Sequence, residues 1–301
     1  MKHAILICTH NNEEITSKLL SLYDDENIDF YIHVDRKSEN FRFDILNNVC
    51  KYSKVHFIER ISVYWGTYSL IDCTVRLLEA AVKTGYDYYH LISGCDVPFY
   101  TKKEFLNFFE KHNGDQFVEY SLDEIFESQN IIERVKYYHV FVKATRVKNA
   151  LIRKPQTFIR NIYLKLQKTF HMGRKIDFTV KYGSEWFDIT DSFAKYIISK
   201  KEWIRSVFKL TCCGDEIFLQ SLLYNSKFKD TNYFEKENDG ILKAPRYVDW
   251  DRGQPYTFTN NDFDEIKSVK NCLFARKFDY KTNKDIVDGM FKYLEDKEDE
   301  V

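Results

Sequence analysis

The sequence predicts an α/β fold, in which strands and helices alternate and helices cover a sheet. Short apolar runs alternate with helical patterns through about the first hundred residues. The run Tyr88–Ser93 is uninterrupted and is closed by Gly94 and Pro98, which is typical of a buried central strand. Polar side chains follow several of the predicted strands, as expected where a sheet edge binds a ligand.

The predicted elements of the first half follow a regular order. They are a strand at 4–8, a helix at 14–22, strands at 30–34 and 54–57, a helix at 69–83 and the strand Tyr88–Ser93. This order is typical of nucleotide-binding α/β proteins. In the second half, residues 182–189 begin as a turn and become a strand, and Asp215 and Glu216 lie at the start of a predicted helix.

Composition excludes several classes of protein. The chain has 301 residues, of which 44% are hydrophobic and 17% aromatic, so it can form a core and is not disordered. A formal net charge of −1 argues against a nucleic-acid-binding protein. The apolar run near the N-terminus is too short for a signal peptide or a membrane span. The seven cysteines include no CxxC pair, which favours reduced thiols in a cytoplasmic protein.

Three polar side chains fall at the ends of predicted strands: His10, Asp35 and Asp96. Ligands of open α/β sheets bind at the carboxyl ends of strands, where the chain order reverses. An Asp there can accept a hydrogen bond from uracil N–H or ribose hydroxyls, although a strand-end Asp is more often a turn or cap residue. The GxGxxG and P-loop motifs are absent, which disfavours the dinucleotide and P-loop sites that use them.

The second half contains acids and bases suited to chemistry. Asp215 and Glu216 are either partners of a helix dipole or, if Glu216 faces a cleft, a candidate general base. Arg252, Arg276 and Lys277 lie among aromatic residues, where they can reach an anion.

Residues 143–175 are strongly basic, with ten Lys or Arg and no Asp or Glu, interleaved with large apolar residues. Sequence alone favours an amphipathic helix that packs its apolar face on its own domain. The alternative is peripheral contact with an anionic membrane or with a lipid-linked phosphate.

Spaced blocks along nearly the whole chain resemble glycosyltransferase family 14, which comprises core-2/I-branching β-1,6-N-acetylglucosaminyltransferases and peptide O-xylosyltransferases. The blocks are Ile7-Cys-Thr-His, His33-Val-Asp-Arg-Lys-Ser, Trp65-Gly with Ser69, Leu91-Ile-Ser-Gly-Cys-Asp-Val-Pro, Gly183-Ser-Glu-Trp-Phe, Asp215-Glu216, Val248-Asp-Trp and Leu273-Phe-Ala-Arg-Lys-Phe-Asp. Residues 140–180 match poorly. The chain resembles a bacterial-type cytosolic member of the family.

The resemblance implies a GT-A-type fold, with a mixed central sheet flanked by helices in a single domain over 1–301. Residues 1–125 would form the nucleotide-sugar-binding half, and 126–180 a variable basic helical insertion. Residues 181–301 would form the acceptor-binding and catalytic half.

The resemblance also implies inverting transfer of N-acetylglucosamine or xylose from a UDP-sugar to a saccharide hydroxyl. Glu216 matches the family's general base, and Lys277 and Arg252 would stabilise the UDP leaving group. The implied nucleotide-sugar contacts are Cys8, His10, Asp35, Trp65, Asp96, Arg252 and Lys277. The implied acceptor contacts are Glu119, Arg134, Glu185 and Trp250. The expected partners are the UDP-sugar and a saccharide or lipid-linked oligosaccharide, with no nucleic acid.

No cofactor or metal is expected, because the resemblance implies that basic side chains replace the usual divalent ion. The strings Asp249-Trp-Asp251 and Asp262-Phe-Asp264 have the DxD form, but both lie far downstream of the donor half. Asp96 alone could supply one metal ligand. Two alternatives stay open, which are a DxD metal-dependent transferase and a sugar- or nucleotide-binding module that has lost turnover.

Overall fold

The first half of the chain builds four parallel strands and the helices that connect them. This computed structural model describes residues 1–143, 147, 149–236 and 240–299. The elements are β1 (His3–Thr9), α1 (Glu13–Leu22), β2 (Ile28–Val34), β3 (Val55–Phe57), α2 (Tyr68–Val82) and β4 (Tyr88–Ser93). Every element predicted here from the sequence is confirmed, with its ends moved by at most two residues, as is usual for element boundaries.

The second half contains shorter strands and more helices. The elements are β5 (Val97–Pro98), α3 (Lys102–Lys111), β6 (Phe117–Val118), α4 (Asp123–Ser128), α5 (Ile131–Lys136), α6 (Ala150–Thr169), β7 (Phe187–Thr190), α7 (Asp191–Ser199), α8 (Lys201–Phe208), α9 (Phe218–Tyr224), β8 (Arg246–Val248), α10 (Phe263–Ser268), β9 (Phe274–Arg276) and α11 (Lys284–Asp299). The 3-10 helices include Asp44–Leu46, Gly214–Glu216, Lys229–Thr231 and Asn260–Asp262.

The central sheet is mixed and has the strand order β3-β2-β1-β4-β7-β6 in the described part of the chain. β1 pairs in parallel with both β2 and β4, and β2 pairs in parallel with β3. β7 runs antiparallel to β4 and β6. The predicted α/β class, with a mixed central sheet flanked by helices, is therefore confirmed, and both halves of the chain contribute strands to this sheet.

A second, small sheet has the order β5-β9-β8. Val97 pairs with Ala275 in antiparallel register, so the segment after β4 is joined directly to the C-terminal part of the chain. Backbone hydrogen bonds continue this junction, since the Phe278 N–H donates to the Cys95 carbonyl at 3.0 Å. The second sheet thus brings residues 274–278 to the carboxyl end of β4.

The central sheet is buried on both faces. Along β1, Ile5 and Ile7 belong to one apolar cluster, and Ala4 and Leu6 to a second. Side chains of a strand alternate between its faces, so the two clusters lie on opposite sides of the sheet. A continuous apolar strand is expected for a mainly parallel sheet covered by helices on both sides.

A buried ionic group links the two sheets. The Arg246 guanidinium, on β8, donates to both oxygens of Asp188, on β7, at 3.0 and 3.2 Å, and to the Leu91 carbonyl at 2.9 Å. The His90 ring lies 2.9 Å from Asp188 and is fully buried. Each buried charge therefore has a partner, which is what makes its burial tolerable.

The basic helix α6 does not pack as the sequence favoured. Only Gln167 is buried among its residues, and the large apolar side chains face solvent. Residues 144–146 and 148 of the basic stretch lie outside the described residues. The preferred sequence interpretation, an apolar face packed on its own domain, is wrong for this helix. Within the described residues no helix combines the length and apolarity needed to cross a membrane.

Candidate active site

The chain order reverses beside β1. The chain runs outward from β1 through β2 to β3 and then returns to β4 on the other side of β1. The carboxyl ends of these strands are in register, because the Asp35 N–H donates to Thr9 O at 2.9 Å and the Gly94 N–H to Cys8 O at 3.1 Å. This is the position at which open α/β sheets bind ligands. His10, Asp35 and the turn at Asp96 therefore follow neighbouring strands at one edge of the sheet.

Gly94 is required for the close approach of β1 and the turn after β4. A Cβ at this position would lie 2.1 Å from Thr9 Oγ1 and 2.8 Å from Thr9 Cβ. Real Cβ atoms do not approach so closely, so only glycine lets the two segments meet here.

Asp35 is held rigidly at this edge. Its carboxylate accepts a hydrogen bond from the Lys37 N–H at 2.9 Å, and the Lys37 ammonium lies 3.2 Å away. The Arg60 guanidinium donates to its carbonyl at 2.9 Å. Nearby, the half-buried Cys8 Sγ lies 3.2 Å from Cys73 Sγ. Asp35 is thus a preorganised acceptor for a ligand hydroxyl or N–H.

Lys277 lies at the same edge because β9 pairs with β5. The segment after Lys277 is hydrogen-bonded to the segment after β1, since the Tyr280 N–H donates to Asn12 Oδ1 at 3.0 Å. The half-buried Lys277 ammonium has no hydrogen-bond or ion-pair partner among the residues that the structure describes. Partial burial and then the charge of Lys277 lower the pKa of His10, while Asp35 opposes that shift. An unpaired cation, a neutral imidazole and a carboxylate are therefore electrostatic neighbours.

Arg276 connects this edge to the second half of the site. Its guanidinium lies 3.6 Å from Asp96 and 3.7 Å from Glu185, and it stacks on the Trp186 ring at 4.2 Å. Asp96 is fully buried and accepts hydrogen bonds from the Ser93 N–H at 2.9 Å and the Ser93 hydroxyl at 2.7 Å. Asp96 therefore positions Arg276, and its predicted direct contact with the donor stays a prediction.

The pKa of Glu185 is strongly raised by its surroundings. Burial, together with the nearby carboxylates of Glu216 and Asp96, raises the pKa of Glu185 to about 7, although Arg276 opposes this shift. Desolvation and like charge both disfavour the ionised form, whereas a cation favours it. Glu185 therefore exchanges a proton near neutral pH.

Glu216 lies beside Glu185, on the 3-10 helix Gly214–Glu216. The helix predicted to start here begins two residues later, at Phe218, because Cys213 adopts a left-handed conformation with φ of 50° and a 3-10 turn follows it. The Arg134 guanidinium donates to Glu216 Oε2 at 3.2 Å. Burial raises the pKa of Glu216, and Arg134 and the Tyr182 hydroxyl partly offset that rise.

The backbone fixes the position of Glu216 against the preceding segment. The Gly183 N–H donates to the Glu216 carbonyl at 2.9 Å. A Cβ on Gly183 would lie 1.9 Å from the Glu119 carbonyl oxygen, so this glycine allows three segments to meet. The neighbouring Asp215 is buried, and its Oδ1 has no hydrogen-bond partner in the part of the chain that the structure describes. Burial and the charges of Glu185 and Glu216 raise the pKa of Asp215 well above its usual value.

The charged groups form one continuous series from the general-base candidate to the sheet edge. In order, it contains Arg134, Glu216, Glu185, Arg276, Asp96, Lys277, His10 and Asp35. Neighbouring members are linked by contact or by an effect of charge on pKa, except that Asp96 and Lys277 are linked through the buried Cys95, because Asp96 raises and Lys277 lowers the pKa of that thiol. The structure thus brings most of the predicted site residues together.

Other predicted site residues are placed differently. Burial raises the pKa of Glu119, whose backbone borders Gly183. Trp65 and Trp250 are exposed by 55% and 65%, and their predicted ligand contacts stay predictions. Arg252 is surrounded by carboxylates of its own segment, since it lies 2.9 Å from Asp262 and 2.7 Å from Glu265. Its role toward a diphosphate stays a prediction.

Aspartates of both DxD strings bind Arg252. The first Asp of each string binds its guanidinium, and Asp249 additionally accepts the N–H groups of Asp251 and Arg252 at 2.9 Å. Asp262 also accepts the Thr259 N–H at 2.7 Å. Within the described residues no group of three or more His, Cys, Asp or Glu is arranged to hold a metal. These aspartates therefore stabilise the loop around Arg252.

Comparison with known proteins shows the family of this chain. The model of the Core-2/I-Branching enzyme family matches residues 4–271, which is most of the chain. The chain belongs to this family. It is a glycosyltransferase family.

Individual relatives of this Core-2/I-branching family member are distant. Xylosyltransferase 2 of Rattus norvegicus is 22% identical over 95% of this chain and 33% of that protein, and the Mus musculus protein is 23% identical with the same coverage. Xylosyltransferase 1 of Rattus norvegicus is 23% identical over 88% of this chain and 32% of its own length. The chain thus spans about a third of the curated relatives it matches. The apo structure of mouse xyloside xylosyltransferase 1 has a TM-score of 0.40 and 10% identity, covering 91% and 96% of the two chains.

The match to the Core-2/I-branching family ends before the block that contains Arg276 and Lys277. Within the matched range lie Glu216, Arg134 and Glu185. The sequence placed Arg276 among the cations that can reach an anion, but the resemblance assigned a site role only to its neighbour Lys277. Sequence reasoning did not include Tyr182 among the site residues, although Tyr182 directly precedes the Gly-Ser-Glu-Trp-Phe block, which could have indicated it.

Proposed function

We propose that this family member is a GT-A-type inverting glycosyltransferase, which transfers a sugar from a UDP-sugar to a hydroxyl of a saccharide acceptor. One observation carries the proposal: the series of charged groups contains Glu216 near one end, and at the other end it contains the carboxylate Asp35 and the cation Lys277, which is unpaired among the described residues. A base at one end and a cation at the other are what the reaction requires.

In this proposal the nucleoside lies over Asp35, and the diphosphate lies near Lys277 and Arg276. The acceptor hydroxyl donates its proton to a Glu216 carboxylate oxygen as its oxygen attacks the anomeric carbon from the face opposite the diphosphate. The bond from the anomeric carbon to the diphosphate oxygen breaks, and its electron pair leaves with UDP. Attack from the opposite face inverts the anomeric configuration.

Glu216 suits the role of base because burial raises its pKa, so its ionised form binds a proton more strongly than an exposed carboxylate does. Arg134 lowers the pKa of Glu216 and so limits protonation of its carboxylate. Preorganised cations in a partly desolvated cleft compensate the charge that builds on the leaving diphosphate. We propose that Lys277 and Arg276 do this without a divalent metal, with Arg252 as a further candidate.

The donor sugar is proposed as xylose or N-acetylglucosamine, with xylose first because the relatives above are named xylosyltransferases. The acceptor is proposed to be a saccharide or lipid-linked oligosaccharide, and the location to be the cytoplasm. The seven cysteines are free, which fits a reducing compartment.

The test is UDP release by purified protein with UDP-xylose or UDP-N-acetylglucosamine and a panel of saccharide acceptors, with EDTA present. We expect Glu216→Gln to lower turnover roughly 10²- to 10⁴-fold while UDP binding by calorimetry is retained. The control is Glu127→Gln, an exposed carboxylate on α4. Retained turnover in Glu216→Gln would refute the base, and loss of activity in EDTA would refute the metal-free proposal. UDP binding without turnover on any acceptor would favour a binding module.

A further inference from the structure

Helix α6 exposes the face that a surface helix normally buries. Its large apolar residues recur every three or four positions and therefore share one face. The residues on this apolar face are Leu151, Ile152, Phe158, Ile159, Ile162 and Leu166. All of them are exposed, Leu151 by 86% and Phe158 by 66%, and Phe170 continues the face beyond the helix with 65% exposure.

The opposite face of α6 attaches to the protein through polar contacts. The Gln167 side chain accepts from the Tyr138 N–H at 2.8 Å and donates to the Tyr138 carbonyl at 2.9 Å. The Lys168 ammonium forms an ion pair with Glu133 at 2.6 Å. The helix is therefore fixed with its apolar face turned outward. Isolated exposed apolar residues are ordinary, but a continuous row of this size marks a binding surface.

The charge of α6 identifies the occupant of that surface. The helix contains five Lys or Arg and no Asp or Glu. The whole chain has a net charge of −1, so the remainder of the protein is net acidic. An anionic bilayer would attract this helix and repel the rest of the molecule, which orients the protein. A second copy placed on the same face would instead bring two sets of positive charges together.

We propose that the apolar face of α6 docks the protein peripherally on an anionic membrane. The apolar side chains insert at the boundary between headgroups and acyl chains. The basic residues beside them, Lys154 and Lys165 among others, contact lipid phosphates. This inference rests on the surface alone and does not depend on the proposed transfer reaction.

The position of α6 gives the docking a consequence for the site. Its anchor residues Glu133 and Tyr138 flank Arg134, which binds Glu216. A docked membrane would therefore lie beside the segment that carries Arg134. A lipid-linked acceptor could then reach the site without leaving the bilayer surface.

The test is co-sedimentation of the full chain with vesicles of phosphatidylcholine alone or mixed with phosphatidylglycerol. We expect binding to the mixed vesicles, weakened by added salt, and little binding to phosphatidylcholine. Phe158→Ser with Ile162→Ser should reduce binding roughly tenfold or more. Lys154→Gln with Lys165→Gln should reduce binding by a similar factor. Because these two charges are gone, added salt should weaken the remaining binding less than it weakens binding of the unmodified chain.

Two controls match these variants in type and exposure. Tyr52→Ser removes an exposed aromatic residue elsewhere, and Lys284→Gln with Lys292→Gln removes two exposed charges from α11. Both should bind like the unmodified chain, and UDP affinity should be unchanged in every variant. No binding to mixed vesicles, equal binding to both vesicle types, or equal binding by the α6 variants would overturn the proposal. A dimer in light scattering that Phe158→Ser with Ile162→Ser dissociates would assign the surface to a second copy instead.

Discussion

Burial and local charge distinguish carboxylates of the same chemical type at the site. Glu216 has one cation, Arg134, close to its carboxylate. Burial raises the pKa of Glu216, and the charge of Arg134 partly offsets that rise. Glu185 has two carboxylates and one guanidinium near it, and its pKa rises to about 7. Asp96, in contrast, is held by hydrogen bonds from Ser93. Each carboxylate is therefore suited to a different task, which residue type alone does not reveal.

The first prediction concerns the pH dependence of turnover. Arg134 lowers the pKa of Glu216, so Arg134→Gln should raise that pKa further. A base with a higher pKa is protonated at higher pH, and the acid limb of the kcat/KM profile should move upward by about one pH unit. Gln129→Ala removes a second hydrogen-bond partner of Arg134 without changing charge and should leave the limb in place. An unmoved limb in Arg134→Gln would show that Glu216 does not set it.

The second prediction concerns Lys277. Lys277→Met should weaken UDP binding roughly 10- to 100-fold in calorimetry, because a desolvated cation that faces a diphosphate contributes strongly. It should also raise the pKa of His10 in the unliganded protein, measured by NMR, since Lys277 contributes to lowering it. Lys281→Met, at an exposed position nearby, is the control. Unchanged UDP affinity with a shifted His10 would place Lys277 at the edge but not on the diphosphate.

At the scale of elements, the sequence predicted the long strands and helices of the first half well. β4 matches its prediction completely, because an uninterrupted apolar run between turn residues has few other interpretations. β5, β8 and β9 have only two or three residues each, and β5 pairs with β9, which lies far along the chain from it. Such short strands carry no periodicity, and their pairing is decided by tertiary contacts. The sequence named Arg276 as a cation that can reach an anion, but for that reason it did not predict the contacts of Arg276 with Asp96 and Glu185.

The third prediction concerns the junction between β1 and β4. Gly94→Ala should destabilise the protein by about 1 to 3 kcal/mol, because its Cβ would overlap Thr9. Chemical denaturation measures the change. In a Thr9→Gly background the same substitution should cost much less, since the two nearest atoms are then gone. Equal costs in both backgrounds would mean that the clash with Thr9 is not the cause.

At the scale of the whole molecule, sequence patterns predicted the covered sheet and the sheet edge at which the candidate residues His10, Asp35 and Asp96 meet, but not how the second sheet is attached. That attachment depends on Arg246 and Asp188, which are both buried and far apart in the chain. Charged residues are usually exposed, so nothing local marked them as core residues. Hydrophobic periodicity likewise could not predict the orientation of α6, because the same pattern is compatible with an apolar face that points toward the domain or toward solvent.

The last prediction tests that attachment. Burial alone would raise the pKa of Asp188, but Arg246 and His90 outweigh it and hold the pKa below its usual value. Asp188 therefore contributes stability above its unfolded pKa, and this stability is lost as pH falls through the folded pKa. Arg246→Met should cost about 3 to 5 kcal/mol at neutral pH, because it leaves a buried carboxylate with only His90 as a side-chain partner.

Adding Asp188→Asn to Arg246→Met should restore part of the lost stability, since the double variant buries no unpaired charge. The free energy of unfolding from urea titrations at several pH values measures both effects, and the double variant should lose less stability than the original chain when the solution is acidified. Lys292→Met removes one member of an exposed pair with Asp296 and should cost less than about 1 kcal/mol. If Arg246→Met cost no more than Lys292→Met, the two sheets would be joined by the apolar core and the β5–β9 pairing alone.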